Sequence, residues 1–97
     1  IDIAAPSGTP VGAARSGTVT YAGWSNQGYG NLVKIRHAGG AETWYGHFSS
    51  IAVTVGEYVS QGEIVGRVGS TGLSTGPHLH FELHETGRAL DPLASLR

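Results

Sequence analysis

The residues best suited to chemistry lie in one short run near the carboxyl end of the chain. His78, His80, Glu82 and His84 follow one another at every second position. Because successive side chains of a β-strand point to opposite faces, these four would share one face of a strand. Imidazoles two positions apart stand roughly 6.6 Å from each other along a strand, so their rings can converge on one metal ion. The intervening apolar residues would face the core: Leu79, Phe81 and Leu83.

Two other segments offer polar groups of the same kind. Asp2 stands between two isoleucines at the start of the chain, and His47 follows Thr43 and Tyr45 at alternate positions. We therefore expect His47 on the face that Thr43 and Tyr45 share. The chain has no Cys, so a zinc ion would take His nitrogen and Asp oxygen, with three such ligands and a water in a catalytic site.

The spacing of the apolar residues indicates which elements position these groups. Apolar residues recur mostly with period two, Gly, Ser and Asn interrupt the runs, and no stretch keeps a helical period. The sequence therefore predicts an all-β fold of short, mostly antiparallel strands, arranged as a sandwich or partly closed barrel. One helical turn is expected at residues 93–96, after Asp91 and Pro92. The predicted strands cover residues 18–21, 32–37, 43–48, 51–55, 63–68 and 78–85.

An internal similarity points to two halves. Residues 8–11 and 17–19 resemble residues 56–59 and 62–65, since each pair has a glycine three positions before a valine and then Gly-x-hydrophobic. Any β-rich chain can show such a pattern by chance. The pattern is compatible with a two-half β-sandwich, the barrel-sandwich hybrid built on a duplicated motif.

Composition limits the classes of function. The 97 residues carry 6 Lys and Arg against 7 Asp and Glu, and charged residues make up only 13% of the chain. We therefore expect no nucleic-acid partner and one domain spanning residues 1–97. No apolar run reaches the ~18 residues of a membrane span. The chain begins at Ile1 and contains no Met, so we expect that an N-terminal segment of the domain precedes it.

Four stretches carry a resemblance to a known family. They include Asp-Ile-Ala-Ala-Pro, Gly-Tyr-Gly-Asn, Thr-x-Tyr-Gly-His and Ser-Thr-Gly-Pro-His-Leu-His-Phe-Glu. In this order they resemble the LytM or lysostaphin-like zinc metallopeptidases of bacterial cell walls, peptidase family M23. The last run is highly specific, and Asp91-Pro92 is similar to the family's closing segment. The matching stretches are residues 1–11, 28–37, 43–47 and 70–82.

The resemblance implies a role for four residues. Asp2 and His80 match two of the family's zinc ligands, and His47 and His78 match the histidines that flank the attacking water. The family's remaining ligand is a His four positions before the Asp, which would be the third residue upstream of Ile1. One zinc ion per domain is implied, and either His47 or His78 would act as the general base.

Other residues near this site have two possible roles. Glu82 could orient the imidazole of a ligand or be a solvated carboxylate. Tyr29, Tyr45 and Asn31 are candidates to support the metal ligands or to line a groove between the loops at residues 22–30 and 69–76. Trp24 is a further candidate for its wall. The remaining aromatic and histidine residues are interpreted as core (Trp44 and Phe81) or as surface or turn residues (His37 and His84).

The resemblance implies a zinc-dependent endopeptidase that hydrolyses peptide bonds of bacterial peptidoglycan, in bridge or stem peptides. It implies an extracellular or periplasmic, cell-wall-associated site of action, and we expect a monomer. One alternative is a metal-free module that binds peptidoglycan or activates an amidase, although such modules usually lose several of these site residues. Another is a sugar-transport phosphocarrier with a His pair, which the run at residues 78–80 does not resemble.

Overall fold

The computed structural model describes residues 1–85, which form eight β-strands and no helix. Every pairing among these strands is antiparallel, as the sequence predicts. Within this part of the chain, nothing has the helical length and hydropathy needed to cross a bilayer. The strands are β1 (Asp2–Ala4), β2 (Pro10–Gly12), β3 (Gly17–Ser25), β4 (Gly30–Arg36), β5 (Glu42–Ile51), β6 (Tyr58–Val59), β7 (Ile64–Val68) and β8 (His78–His84).

Strand β5 is the branch point of the sheet. The strand order is β1-β8-β5-β4-β3-β6, and β7 pairs with both β5 and β2. One edge of β5 pairs with β4, whereas the other edge pairs first with β8, over residues 42–46, and then with β7, over residues 48–51. His47 lies at the switch between these two partners.

The backbone confirms an arrangement in two related halves. Gly8 donates its N–H to the carbonyl of Val68 at 2.7 Å, and Gly56 donates to Val19 at 2.8 Å. In both cases the valine N–H returns a bond to the residue after the glycine, at 2.8 and 2.9 Å. The two glycines have φ angles of 91° and 92°, a conformation that favours glycine. Each half thus places its turn against a strand of the other half.

The core is built mainly from β-branched residues on the inward faces of these strands. Val19, Val33, Ile35, Val59 and Val65 are almost completely buried, and they come from both halves of the chain. Burial of such side chains is the main favourable term that holds short strands together. The sheet therefore encloses one hydrophobic core and leaves the edge formed by β1 and β8 at the surface of the protein.

Three sequence-based predictions about this architecture are wrong. The segment 51–55 is not a strand: β5 ends at Ile51, and the alternation there leads into a turn around Gly56. Leu83 is 55% exposed, because the end of β8 extends past the core. Trp44 is only partly buried, and Lys34 Nζ lies over it, 3.9 Å from the centroid of the Trp44 ring. The helical turn expected after Asp91 and Pro92, at residues 93–96, lies outside the described residues.

Candidate active site

The site is centred on the pairing of β1 with β8. Asp2 and His80 are opposite each other in this pairing, and Asp2 Oδ1 lies 2.7 Å from His80 Nδ1. His78 pairs with Ala4 on the same edge, and its Nε2 lies 3.7 Å from the same Asp2 oxygen. Two imidazoles and one carboxylate from opposite ends of the chain therefore meet at one sheet edge.

His47 joins this group through an irregularity in β5. Its φ angle is 65°, and it is the one non-glycine residue among residues 1–85 with a positive φ. Its ring centroid lies 4.7 Å from that of His78 and 5.9 Å from that of His80. The expectation that His47 shares a face with Thr43 and Tyr45 is wrong, because those two side chains bond each other in the core whereas the His47 ring lies beside His78 and His80. The positive φ interrupts the alternation and turns His47 to the opposite face.

Gly46 makes room for the site. A Cβ atom at this position would lie 3.2 Å from the ring of Tyr29 and 3.6 Å from Cβ of His80. The Tyr29 ring therefore packs directly over the backbone of β5, and Tyr29 accepts the N–H of His47 on its carbonyl at 2.7 Å. This close approach explains why glycine stands before His47.

Backbone carbonyls fix the tautomers of two histidines. His47 Nδ1 lies 2.6 Å from the carbonyl of Thr71, and His78 Nδ1 lies 2.8 Å from that of Gly76. Since a carbonyl only accepts hydrogen bonds, both Nδ1 atoms carry the proton. In the neutral rings, each Nε2 then has a free lone pair. The roles of Thr71 and Gly76 could not be predicted, because the groups involved are main-chain oxygens.

Further hydrogen bonds hold Thr71 in place. Its hydroxyl donates to the carbonyl of Phe48 at 2.7 Å and accepts the N–H of Asn31 at 3.2 Å. The Asn31 side chain also donates to the Phe48 carbonyl, at 3.0 Å. Asn31 thus helps to hold Thr71, whose carbonyl accepts the Nδ1–H of His47.

Glu82 receives three hydrogen bonds. Its Oε2 accepts from His80 Nε2 at 2.7 Å and from the hydroxyl of Tyr29 at 2.8 Å, and its Oε1 accepts from His84 Nε2 at 2.6 Å. Partial burial alone would raise the pKa of Glu82, but the bonds from His80, Tyr29 and His84 outweigh it and lower the pKa to about 2. Glu82 is therefore an anionic hydrogen-bond acceptor beside His80.

The charges around His80 follow from its two carboxylate neighbours. Partial burial lowers the pKa of His80, but the bonds to Asp2 and Glu82 dominate and raise it above the usual value. The same bond from His80 lowers the pKa of Asp2. Burial, followed by the neighbouring Glu82, raises the pKa of the Tyr29 hydroxyl. Both ring nitrogens of His80 thus face anionic oxygen.

The donor set fits a metal such as zinc, which prefers His nitrogen and carboxylate oxygen when no Cys is available. Asp2 Oδ1 and His80 Nδ1 face each other, while Glu82 holds the other nitrogen of His80. A carboxylate behind a ligating His is a common support of metal sites. Asp2 and His80 thus supply two such donors. Among residues 1–85, no group of three or more His, Cys, Asp or Glu side chains is placed to hold a metal ion.

Three residues singled out in the sequence lie elsewhere. Tyr45 is wrong as a groove residue: it is buried, and its hydroxyl accepts the N–H of Ala14 at 3.0 Å and bonds Thr43 Oγ1 at 2.6 Å. His37 is buried rather than at the surface, and its Nε2 lies 2.7 Å from Thr43 Oγ1. His84 is on the surface, where its ring stacks on that of Trp44.

An open groove begins beside His47 and His80. Its part nearest the site has a volume of about 210 Å³, and a larger part of about 700 Å³ continues between the loops at residues 22–30 and 69–76. Tyr29 lines the near part and Trp24 the far part, as predicted for the walls of a groove between these loops. The site therefore has room for an extended chain to lie across it.

Comparison with known proteins gives a consistent result. The profile described as peptidase family M23 matches residues 1–92. The chain is 51% identical over 94 residues to the DD-carboxypeptidase/endopeptidase Mpg of Neisseria meningitidis, which covers 97% of this chain and 21% of Mpg. It is 46% identical over 95 residues to lysostaphin of Staphylococcus simulans, which covers 93% of this chain and 19% of lysostaphin. The chain thus spans about a fifth of the length of these relatives.

Solved structures show the same relationship. The catalytic domain of the antimicrobial peptidase lysostaphin from Staphylococcus simulans matches with a TM-score of 0.83 at 43% identity, over 98% of this chain and 75% of that one. A zinc-containing peptidase from Vibrio cholerae matches with a TM-score of 0.78 at 38% identity, over 86% of this chain and 25% of that one. The all-β architecture described above is thus shared with peptidase catalytic domains.

Proposed function

The chain belongs to peptidase family M23, and from this premise we propose that it is the catalytic part of a zinc-dependent endopeptidase that hydrolyses peptide bonds of bacterial peptidoglycan. The observation that carries the proposal is the convergence of Asp2 from β1, His78 and His80 from β8 and His47 from β5 beside an open groove. A structural role for all four is a poor explanation, because Asp2, His78 and His80 keep part of their side chains in solvent and add little to a core.

We assign metal binding to Asp2 Oδ1 and His80 Nδ1. Glu82 accepts a hydrogen bond from the Nε2–H of His80, which leaves Nδ1 as the nitrogen that faces Asp2. The remaining protein ligand is proposed to be a His three positions before Ile1, as in the family's motif. When bound, zinc supplies a Lewis acid that polarises the scissile carbonyl and makes water more acidic.

His47 and His78 are proposed to move the protons of the reaction. Their Nδ1–H groups are held by the carbonyls of Thr71 and Gly76, so each Nε2 is the free nitrogen of its ring. Either Nε2 can accept a proton from the attacking water and later return it to the leaving amine. An imidazole suits both steps because its pKa lies near neutral pH. Positioned acid–base groups of this kind typically contribute 10²–10⁴-fold.

The substrate class follows from the family and from the groove. One relative is named a DD-carboxypeptidase/endopeptidase, and another, from Staphylococcus capitis, is named a glycyl-glycine endopeptidase. Both names describe cleavage of peptide bonds, and the groove has the open form that an extended peptide needs. Because peptidoglycan lies outside the cytoplasm, the proposed site of action is extracellular or periplasmic.

The proposal is tested on the protein with the residues that precede Ile1 included. Purified protein is incubated with peptidoglycan peptides before and after removal of metal by a chelator, and then after zinc is added back. We expect hydrolysis that is lost on chelation and restored by zinc. Hydrolysis that resists chelation would contradict the metal's role, and binding of peptidoglycan without zinc or hydrolysis would identify a binding module instead.

A further inference from the structure

A second concave pocket lies at the other end of the sheet from the candidate active site. Strands β3 and β6 are at that end of the strand order, whereas the β1–β8 pair carries the proposed metal ligands. The pocket has a volume of about 520 Å³, which is typical of sites for small molecules. None of the residues among 1–85 that line it also lines the groove. Any ligand bound there would leave the groove open.

The pocket is positively charged. Arg15 and Arg36 both line it, and no Asp or Glu among residues 1–85 does. Arg36 Nε lies 4.0 Å from Glu42 Oε2, and the Arg36 side chain is 65% exposed, so this ion pair is weak. Within residues 1–85, Arg15 forms no ion pair. Because the whole chain has a net charge of −1, the positive charge is a local feature of this pocket.

The backbone on either side of Arg15 is held by buried side chains. The preceding residue, Ala14, donates its N–H to the hydroxyl of Tyr45 at 3.0 Å. The carbonyl of the following residue, Ser16, accepts the Nδ1–H of His37 at 2.9 Å. Tyr45 and His37 are both buried, and neither takes part in the proposed reaction. Their hydrogen bonds therefore present Arg15 from a fixed segment.

Arg36 is held beside this segment. It is the last residue of β4 and pairs with Thr18 of β3. A Cβ atom on Gly17 would collide with the carbonyl oxygen of Arg36, so the two backbones are in contact. The hydroxyl of Ser16 also accepts the N–H of Gln61 at 3.0 Å, which fixes a further part of the wall. A wall whose backbone is ordered before binding costs less entropy when a ligand is held.

A phosphate group matches these donors better than a carboxylate does. A carboxylate has its two oxygens in one plane, and a single arginine can satisfy both with its paired N–H groups. A phosphate monoester carries close to two negative charges near neutral pH and has three terminal oxygens. It can therefore bond arginines from two separate segments. The side chains of Thr18, Tyr58 and Gln61 are further, uncharged donors in the lining.

We propose that Arg15 and Arg36 form a binding site for a phosphate group in its doubly charged form, separate from the metal site. The volume of the pocket leaves room for a small molecule attached to the phosphate. Tyr58 is 66% exposed and offers a ring on which a sugar can pack, so we expect a sugar phosphate to bind more tightly than free phosphate. This site does not depend on the proposed function.

The experiment is an NMR titration of the isotope-labelled, zinc-loaded protein with its upstream residues. The probes are a phosphate monoester of glucose, inorganic phosphate, and glucuronate, which carries a carboxylate on the same sugar ring. Vesicles of phosphatidic acid in phosphatidylcholine, compared with phosphatidylcholine alone, test a lipid headgroup as the source of the phosphate. The amide signals of Gly17, Thr18 and Gln61 report on the pocket, and those of His47 and His80 report on the metal site.

The expected result is a saturable shift of the three pocket signals with glucose phosphate. Its Kd should rise about tenfold in Arg15→Gln and in Arg36→Gln, because each change removes charge-assisted hydrogen bonds. Arg67→Gln is the matched control and should leave Kd unchanged, since Arg67 lies on β7 outside the pocket. Glucuronate should bind at least about tenfold more weakly, because it has one negative charge and two oxygens. The thermal unfolding midpoint identifies variants that are damaged in other ways.

Three results would overturn the site. The first is the absence of pocket shifts with both phosphate probes, or shifts confined to His47 and His80, which would place the phosphate at the metal. The second is an equal Kd for glucuronate, or an unchanged Kd in an Arg15→Gln/Arg36→Gln double variant. The third is binding to phosphatidic acid vesicles without binding of either soluble phosphate, which would indicate a membrane surface instead. None of these readouts depends on hydrolysis, so the proposed function stands or falls separately.

Discussion

Asp2 and His80 are 78 positions apart in the sequence, yet their side chains are hydrogen-bonded at 2.7 Å across the β1–β8 pair. This relationship depends on a strand of only three residues, β1. Its position is fixed by the antiparallel register with β8, and the carbonyl of Ile1 also accepts the N–H of Phe81 at 2.8 Å. The two proposed metal ligands are therefore held by main-chain pairing.

The histidines proposed to transfer protons should be separable from those that bind metal. His47→Ala and His78→Ala are each expected to lower kcat by about 10²–10⁴-fold, because each removes a positioned acid–base group. Zinc content should stay at the wild-type level. Steady-state hydrolysis and elemental analysis of the same preparations measure both quantities.

His84→Ala serves as the control for these two variants. His84 is on the same strand as His78, but its ring is at the surface and contacts Glu82 rather than Asp2. Because His84→Ala removes only one of the three hydrogen bonds to Glu82, the zinc-loaded variant should keep most of the wild-type kcat. Near-native turnover in His78→Ala would show that the proton-transfer role is assigned wrongly.

Glu82 should control how tightly metal is bound. In Glu82→Gln the negative charge that holds His80 Nε2 is lost, and the amide presents donors to a site where three donors already converge. Loss of such a supporting carboxylate typically costs about 10–100-fold in metal affinity. The measurement is a zinc titration in competition with a chelator of known affinity.

Glu85→Gln is the matched control, since Glu85 follows directly after β8. Equal zinc affinity in Glu82→Gln and Glu85→Gln would mean that Glu82 is only a solvated carboxylate. The role of Glu82 in orienting the imidazole of a metal ligand would then be wrong.

Thr43 is predicted to matter for stability rather than catalysis. Its hydroxyl lies between His37 Nε2, at 2.7 Å, and the Tyr45 hydroxyl, at 2.6 Å, in the buried interior. Thr43→Val keeps the shape but leaves both partners with an unmet hydrogen bond, which typically costs about 1–3 kcal/mol. Urea denaturation should show this loss, with kcat unchanged below the unfolding range.

Thr18→Val provides the comparison, because Thr18 is an exposed strand residue. It should change the free energy of unfolding by less than Thr43→Val. If the two variants unfold at the same urea concentration, the buried network around Thr43 does not stabilise the fold as described.

The period-two patterns predicted most of the strands, and they placed His78 and His80 on one face of β8 correctly. Short strands were missed, because β2 and β6 have three and two residues and depend on pairing with the other half of the molecule. The strand predicted at residues 51–55 is wrong. Val53 is buried although it belongs to no strand, and a buried valine before a turn gives the same pattern as a strand residue. Local patterns therefore describe long strands better than the connections between them.

The site could be anticipated in part. Asp2 and His47 were candidates from their residue types, and the resemblance to the family assigned them to one site with His80, which strand periodicity alone would not have done. The orientation of His47 was predicted wrongly, because it requires a positive φ at a residue other than glycine, which tertiary packing imposes. Tyr45 was misplaced because a tyrosine can fill a core when its hydroxyl finds partners there.

Zinc content and peptide hydrolysis should be measured together on the protein, with the residues that precede Ile1 included, in wild type, Asp2→Ala and His80→Ala. We expect one zinc ion per chain in wild type and loss of both zinc and hydrolysis in either variant. Retention of wild-type zinc content and hydrolysis in Asp2→Ala or His80→Ala would contradict this expectation.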